Sequence, residues 1–466
     1  MSLFGALNSA TSGLRLIQSN IQVVSDNVSR SNDPNRTRHV LERTTDKSGT
    51  VTIAQYTRRS DVQLRSQLET SISEDKGAQT LADYMRRIGD LLGTTSGKPG
   101  LSDAVDKFAQ AWRDLEASPE SSVAAGQVVL HGDGLAREIR RVAEGVEDVA
   151  AQMDRDIRQT VTDLNQNLAD IDELNDNIVA LRGARQPTME LEDRRDSLIR
   201  KVAEITSVRV VEREGGKVAL FTPTGLALCD AAPNRIIYDQ GRLVSANSGS
   251  DISQHLREGK LGALLELSAD HSDAEPPRAA SLTPTSEVIR KLRSQLDQLT
   301  SAFTQPARPG EPASFQEVYD RAGPTNPGEL KSGFFKGSSR LTIAINEDLL
   351  SGAALVKQSA IADAAGAIAA PGRTFAADGI VATDVTYSGM VSHMMGSWTT
   401  GESDAKTRAK ATSEFKTAME SRYQSTSGVN LDEEIADLQV LQRNYSATAR
   451  VMQVVSAMFD ALERIG

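Results

Sequence analysis

Near the N-terminus, apolar residues recur on a strict alternation of four and three. Leu3, Leu7, Ala10, Leu14, Ile17, Ile21, Val24 and Val28 lie at steps of 4, 3, 4, 3, 4, 3 and 4, separated mostly by Ser, Asn, Gln and Thr. A repeat of about 3.5 puts them on one narrow stripe of a helix, the pattern of a coiled-coil seam. The helix should stop near Ser29, because Ser31, Asn32 and Asp33 favour turns and Pro34 disfavours helix at the residue before it. The C-terminus repeats the pattern. Leu438, Leu441, Tyr445, Thr448, Met452, Val455, Phe459 and Leu462 follow steps of 3, 4, 3, 4, 3, 4 and 3, and only Thr448 is plainly polar. Asn430 suits an N-cap and Glu433 completes a capping-box spacing, which predicts a helix from about Leu431 to Arg464. Asp432, Glu433 and Glu434 fall in its first turn, where the helix dipole favours negative charge.

A narrow apolar stripe gains nothing while it stays in water, so each of these helices needs a partner. The economical solution is that they pair with each other. The alternative is two amphipathic helices docked separately on a globular core. Between the ends, residues 61–93 and 101–148 read as helical with irregular breaks, divided by a loop at 93–100. Met153, Ile157, Leu164, Ile171, Leu174, Ile178 and Leu181 share a face of a further helix from about Ala150 to Arg182, and Leu191 to Ile205 reads as another. The period then shortens. Brief apolar runs separated by Gly, Pro and Asn predict a small antiparallel β unit over about 206–246. Helix resumes at 253–268, 286–303 and 405–423, and Leu341 to Ile345 reads as a strand. Five prolines between Pro306 and Pro327 predict surface loop over 304–339.

The predicted fold is therefore mainly α. Its N- and C-terminal helices pair as a coiled coil, a long helical bundle is built from both halves of the chain, and a small antiparallel β unit is inserted. The predicted partition is 1–60, an axial segment pairing with 425–466; 61–205, the first half of the bundle; 206–247, the β unit; 248–424, the second half with the loop 304–339; and 425–466, the C-terminal helix.

Composition narrows the function. Hydrophobic residues make up 39% of the chain but aromatics only 4%, which predicts a core of Ala, Val, Ile and Leu in close-packed helices rather than aromatic-lined pockets. A net charge of −11 argues against a general nucleic-acid binder, which needs a basic stripe. No stretch approaches the ~20 apolar residues of a membrane span. Met1 to Asn20 lacks the basic leader and apolar block of a cleaved secretory signal. Cys229 is the only cysteine, so no intramolecular disulfide forms, and its apolar surroundings suit packing.

The sequence carries little that points to catalytic chemistry. His39, His131, His255, His271 and His393 include no pair at helical metal-ligand spacing. Gly93 to Pro99 is one residue short of a phosphate loop and has Pro where the metal-binding hydroxyl belongs. No G-x-S-x-G elbow occurs. No catalytic, cofactor-binding or metal-binding residue is assigned, no cofactor is expected, and the expectation is a protein that is not an enzyme.

The two ends carry a resemblance. Residues 6–38 resemble the N-terminal segment shared by flagellar rod, hook and hook-associated proteins, and residues 427–466 resemble their shared C-terminal segment. Ser427-Gly428-Val429-Asn430-Leu431-Asp432-Glu433-Glu434 and Met458-Phe459-Asp460-Ala461-Leu462 are more similar to the hook-associated branch than to hook proteins. In the middle, Leu174-Asn175-Asp176-Asn177-Ile178, Leu191 to Leu198, Gly259 to Leu265 and Leu341 to Asn346 follow that branch's order. One departure is Pro34-Asn35-Arg36, where the family usually has Pro-Gly-Tyr.

The resemblance implies an exported structural part of the bacterial flagellum, an adaptor between hook and filament. It implies self-assembly into a helical array and contact with the hook protein and with a second junction protein toward the filament. It also implies type III export without a cleaved signal peptide, and a cytoplasmic export chaperone at the C-terminal helix. No nucleic-acid or membrane partner is expected. The chain is short for the family, so large outer domains should be reduced. The residues expected to carry assembly are Leu3, Leu7, Leu14, Ile17, Ile21, Val24 and Val28, with Leu438, Leu441, Tyr445, Met452, Val455, Phe459 and Leu462. A hook or rod protein is the alternative within the class. A cytosolic oligomeric enzyme is the alternative outside it, disfavoured by the missing catalytic motifs.

Overall fold

The computed structural model describes residues 3–45, 51–93, 100–268 and 287–463. The loop read at 94–99 and His271 lie outside them. Helix α1 (Leu3–Ser29) is followed by a hairpin of β1 (Arg38–Thr45) and β2 (Val51–Arg59). Four helices come next: α2 (Val62–Leu92), α3 (Leu101–Ala117), α4 (Ser122–Gly183) and α5 (Met189–Ile205). Strands β3 (Arg209–Glu212), β4 (Val218–Phe221), β5 (Ala227–Cys229), β6 (Ile236–Asp239) and β7 (Arg242–Ser245) form the inserted β unit. The chain continues through α6 (Gly259–Ser268), α7 (Val288–Thr304), α8 (Phe315–Arg321), β8 (Phe335–Lys336), β9 (Ala344–Ile345), α9 (Glu347–Leu350) and α10 (Ile361–Ala369). It ends with β10 (Arg373–Ala377), β11 (Ile380–Val385), α11 (Tyr387–Ser427) and α12 (Leu431–Glu463). Among the described residues every sheet is small, with orders β1-β2, β3-β4-β5, β6-β7, β8-β9 and β10-β11, and every pair of strands is antiparallel. The fold is mainly α with an inserted antiparallel unit, as the periodicities predict.

Two compact units emerge, each built from both halves of the chain. Unit 1 comprises Met1–Gly77, Thr160–Lys260 and Ala411–Gly466; unit 2 comprises Ala78–Gln159 and Leu261–Lys410.

In unit 1 the β unit is tied to α4 by two asparagines. Asn175 Nδ2 donates to the Val218 carbonyl at 2.9 Å, and Asn175 Oδ1 accepts from the Val218 N–H at 3.1 Å. Asn165 does the same for Ile236, at 2.7 and 2.8 Å. A primary amide offers the donor and acceptor that a neighbouring strand would, so each strand backbone is satisfied at the helix surface. Asn175→Leu should cost about 1–3 kcal/mol by leaving those groups unpaired. Denaturant unfolding checks this, and a loss under ~0.5 kcal/mol would contradict it. Nearby, α2 and α6 approach backbone to backbone. A Cβ on Gly77 would meet the Gly259 carbonyl oxygen at 3.0 Å, and one on Gly259 (φ +69) would meet the Ile205 oxygen at 2.6 Å.

Unit 2 corrects the expectation of an aliphatic core. Phe108 and Trp112 of α3, Phe303 of α7, Phe315 and Tyr319 of α8, Phe334, Phe335 of β8 and Tyr387 of α11 form one ring cluster, with paired centroids 4.0–6.4 Å apart. The few aromatics of the chain are concentrated rather than diluted. The cluster also corrects the reading of 304–339 as surface loop. Prolines rule out a long helix there, but Phe315, Tyr319, Phe334 and Phe335 between them are buried. Tyr387 Oη locks the segment in place, donating to the Ala302 carbonyl at 2.8 Å and accepting from the Phe315 N–H at 3.0 Å. Gly132 lets α4 approach the rings, since a Cβ there would lie 2.9 Å from Phe334 Cε1.

Three further readings change. The break expected near residue 149 is absent, and α4 runs unbroken for 62 residues. The helix predicted at 405–423 is the later part of α11. The hairpins β1–β2 and β10–β11 carry no predicted counterpart.

Candidate assembly site at the terminal helix pair

The two terminal helices pack on each other, and their contacts fix the direction. The rings of Phe4 and Phe459 meet edge-on with centroids 5.1 Å apart. Thr11 Oγ1 lies 3.8 Å from Met452 Sδ, and Asn27 Nδ2 donates to Glu434 Oε2 at 3.0 Å. Rising numbers on α1 meet falling numbers on α12, so the pair is antiparallel. Ala10, Leu14, Val24 and Val455 are buried in the seam. Leu7, Ile17, Ile21, Val28, Leu438, Leu441, Met452 and Phe459 are half-buried, and Tyr445 stays exposed. The side chains of Leu3 and Leu462 lie outside the described residues. Leu16 is also buried, although it stands off the heptad.

Pairing leaves a second stripe on α12. Val440, Ala447, Val451, Val454, Met458 and Ala461 recur at steps of 7, 4, 3, 4 and 3, and all are exposed. The four larger ones are 50%, 52%, 54% and 51% exposed. Each stands one residue before a seam position or its equivalent, so the stripe lies about 100° around the helix from the seam. Beyond the exposed Phe4 and Gly5 at its start, the exposed residues of α1 are polar: Asn8, Ser9, Arg15, Gln18, Gln22, Ser25 and Ser29.

At the base of the pair the structure adds an ionic joint, exposed at Glu433 and Asp437 and buried at Glu434, Asp193 and Asp196. Arg38 of β1 spans the first turns of α12, with Nη1 3.0 Å from Glu433 Oε2, Nε 2.6 Å from Glu434 Oε1 and Nη2 2.9 Å from Asp437 Oδ2. Buried Asn27 of α1 donates to the His39 carbonyl at 2.9 Å and accepts from the His39 N–H at 3.2 Å. His39 Nε2 lies 2.9 Å from Asp193 Oδ2 on α5. Thr37 donates to Asp193 through both its backbone N–H and its hydroxyl. Arg58 of β2 reaches Glu192 at 2.9 Å, Asp193 at 3.2 Å and Asp196 at 2.6 Å, and Arg65 of α2 reaches Asp196 at 3.1 Å. Hydrogen bonds and ion pairs thus run without interruption from α12 through α1 and the hairpin to α5 and α2.

Burial alone would raise the Asp196 carboxyl, but Arg58 and Arg65 outweigh it and hold the group below the usual carboxylate range. Burial likewise opposes ionisation of Glu192, and Arg182, Thr188 and Arg58 reverse it. Arg195 is the exception: burial lowers its guanidinium to about 10. The joint also changes the reading of the α12 start. Asn430 Oδ1 does cap the helix, accepting from the Asp432 N–H at 3.0 Å, but Glu433 turns to Arg38 and not to the capping backbone. Sequence reading assigned none of the joint. Its only signal was an unusual density of charge, Arg36-Thr37-Arg38-His39 after the first helix and Glu192, Asp193 and Asp196 on one face of the helix at 191–205.

Among the described residues no group of histidine, cysteine and carboxylate side chains could hold a metal ion, and no helix is long and apolar enough to cross a membrane. Cys229 is buried, and that burial pushes its thiol up to about 12.

Residues 85–307 match the family model for the helical domain of the flagellar hook-associated protein FlgK. Residues 420–465 match the model for the C-terminal segment of the flagellar basal body rod proteins FlgEFG. The chain is thus similar to flagellar hook-associated proteins in its helical domain and to flagellar rod proteins in its C-terminal segment. Flagellar hook-associated protein 1 of Salmonella typhimurium is 23% identical over 98% of this chain and 99% of its own length. The Escherichia coli K12 protein of that name matches to the same extent, 23% over 98% and 99%. The Bacillus subtilis hook-associated protein 1 is 24% identical over 126 residues, 27% of this chain and 25% of its own. The solved flagellar hook junction protein FlgK from Burkholderia pseudomallei superimposes with a TM-score of 0.44 at 18% identity, covering 58% of this chain and 46% of that one. Both stripes of α12 and the joint residues Glu433, Glu434 and Asp437 lie in the segment that the rod-protein model matches, whereas Arg38, Arg58, Arg65 and Asp196 lie outside it.

Proposed function

We propose that this chain is a non-enzymatic structural part of the bacterial flagellum that joins hook to filament by self-assembly of its terminal helices. The observation that carries this reading is the outer stripe of α12, still open after the seam is filled. The seam, from Leu7 to Val28 and from Leu438 to Phe459, holds the two ends of one chain together. Leu3 and Leu462 extend it by their spacing. The outer stripe then meets neighbouring copies. Such a contact joins unlike surfaces, so it propagates along a helical array and need not close into a dimer. Similarity to hook-associated protein 1 supports the hook protein as partner on one side and a second junction protein on the other. It also supports export without a cleaved signal peptide, with a cytoplasmic chaperone covering α12 until assembly.

Val454→Asp tests the reading, because Val454 lies outside the seam. The chain should fold and leave the cell, yet its incorporation into flagella should fall at least tenfold. Burying an unpaired carboxylate at the contact costs more than the ~1.4 kcal/mol that a factor of ten requires. Normal incorporation and normal filament growth would refute the role given to this stripe.

A further inference from the structure

Unit 1 buries a carboxyl that the joint does not use. Glu69 of α2 is 1% exposed, and neither of its oxygens has a protein hydrogen-bond partner. Its surroundings are charged but committed elsewhere. Arg65, one turn earlier on α2, has Nε 3.8 Å from Glu69 Oε1, while its Nη1 pairs with Asp196 at 3.1 Å and its Nη2 lies 3.9 Å from Glu212 of β3. From α5, Asp196 repels a charge on Glu69 and Arg200 attracts it. Arg200 Nη1 donates to Asn35 Oδ1 at 2.7 Å, and its guanidinium stands 5.8 Å from the ring of Tyr423 on α11. Arg58 of β2 is spent on Glu192, Asp193 and Asp196. Further along α2, Lys416 of α11 pairs with Asp75 at 2.9 Å. Ser73 stands one turn beyond Glu69 on the same face, and its buried Oγ also lacks a protein partner.

A carboxylate in such a place is costly. It has lost water, accepts no hydrogen bond, and shares its nearest cation with a stronger competitor. The neutral acid loses far less. We propose that Glu69 is a proton-dependent latch, buried as the neutral acid, whose ionisation loosens the packing of α2 against α5 and α11. Burial lifts this group from 4.5 to about 8, against the pull of Arg65. The sign follows from linkage: the stabilisation is complete below about 4.5 and is lost as pH rises toward about 8. Asp196 works in the opposite direction, losing its contribution in acid. Unit 1 is therefore tightest in weakly acidic medium. Asp196 belongs both to this cluster and to the joint, so loosening at Glu69 reaches the hairpin that grips α12. The latch operates whether or not the chain assembles.

Isotope-edited infrared spectroscopy of the full chain reads the proton directly. The wild type should show the carbonyl stretch of a protonated glutamic acid at pH 6, absent in Glu69→Gln and fading as pH passes about 8. Hydrogen-exchange protection in α5 should fall by up to about tenfold per pH unit between those limits in the wild type and stay flat in Glu69→Gln. A wild type without the protonated band at pH 6 overturns the proposal. So does a Glu69→Gln chain with the wild-type pH slope.

Discussion

Asp196→Ala should lower the stability of unit 1 by about 3–5 kcal/mol, because it leaves the buried guanidiniums of Arg58 and Arg65 without their shared counter-charge. Removing one member of a buried ion network costs more than the network contributes relative to apolar packing, since the remaining charges stay desolvated. Asp196→Asn keeps the shape and some hydrogen bonding, so its loss should be smaller. Urea unfolding followed by hydrogen exchange in α2 and α5 measures both. A change within ~0.5 kcal/mol for the alanine variant would mean that the joint bears no strain from its loss. The acid response provides a second check. Asp196 and Glu192 are held below the usual carboxylate range, so their stabilisation is present at neutral pH and lost as pH falls through their depressed values. Asp196→Ala should therefore show a shallower acid slope than the wild type.

Phe108→Ala should cost unit 2 about 3–5 kcal/mol, the usual range for deleting a buried ring. Phe108 is fully buried and touches the rings of Trp112, Phe303, Phe315, Phe334 and Phe335, with centroids 5.3–6.3 Å away. Its neighbours come from α3, α7, α8 and the 334–335 segment, so no one of them can shift to fill the space alone. Trp112 fluorescence in a Trp398→Phe background follows the transition. A loss under ~1 kcal/mol would show that the cluster repacks freely.

What was legible in the sequence was what periodicity encodes. The stripes of α1 and α12 were readable because a helix with one buried face leaves a mark at steps of three and four. The β unit was readable because the period shortened between turn residues. The hairpin β1–β2 was not, since its strands carry Arg38, His39, Arg43, Arg58 and Arg59 and lack a clean alternation. Charge that is buried in pairs looks, in sequence, like charge in water. The same holds for Glu192, Asp193 and Asp196, and for Glu69 between Arg65 and Ser73. The ring cluster was hidden for another reason. Its members are spread over residues 108 to 387 and meet only in three dimensions. The outer stripe of α12 was present in the sequence throughout, but only the packing of the seam revealed which apolar residues were left over.

A junction piece of the flagellum occupies one short zone between hook and filament. An exposed cysteine introduced as Val381→Cys gives one reactive thiol, because Cys229 is buried and that burial pushes its thiol up to about 12. Gold or fluorophore attached there should mark isolated flagella in a single short band between hook and filament. Label along the whole filament or along the hook, or none on flagella at all, would contradict it.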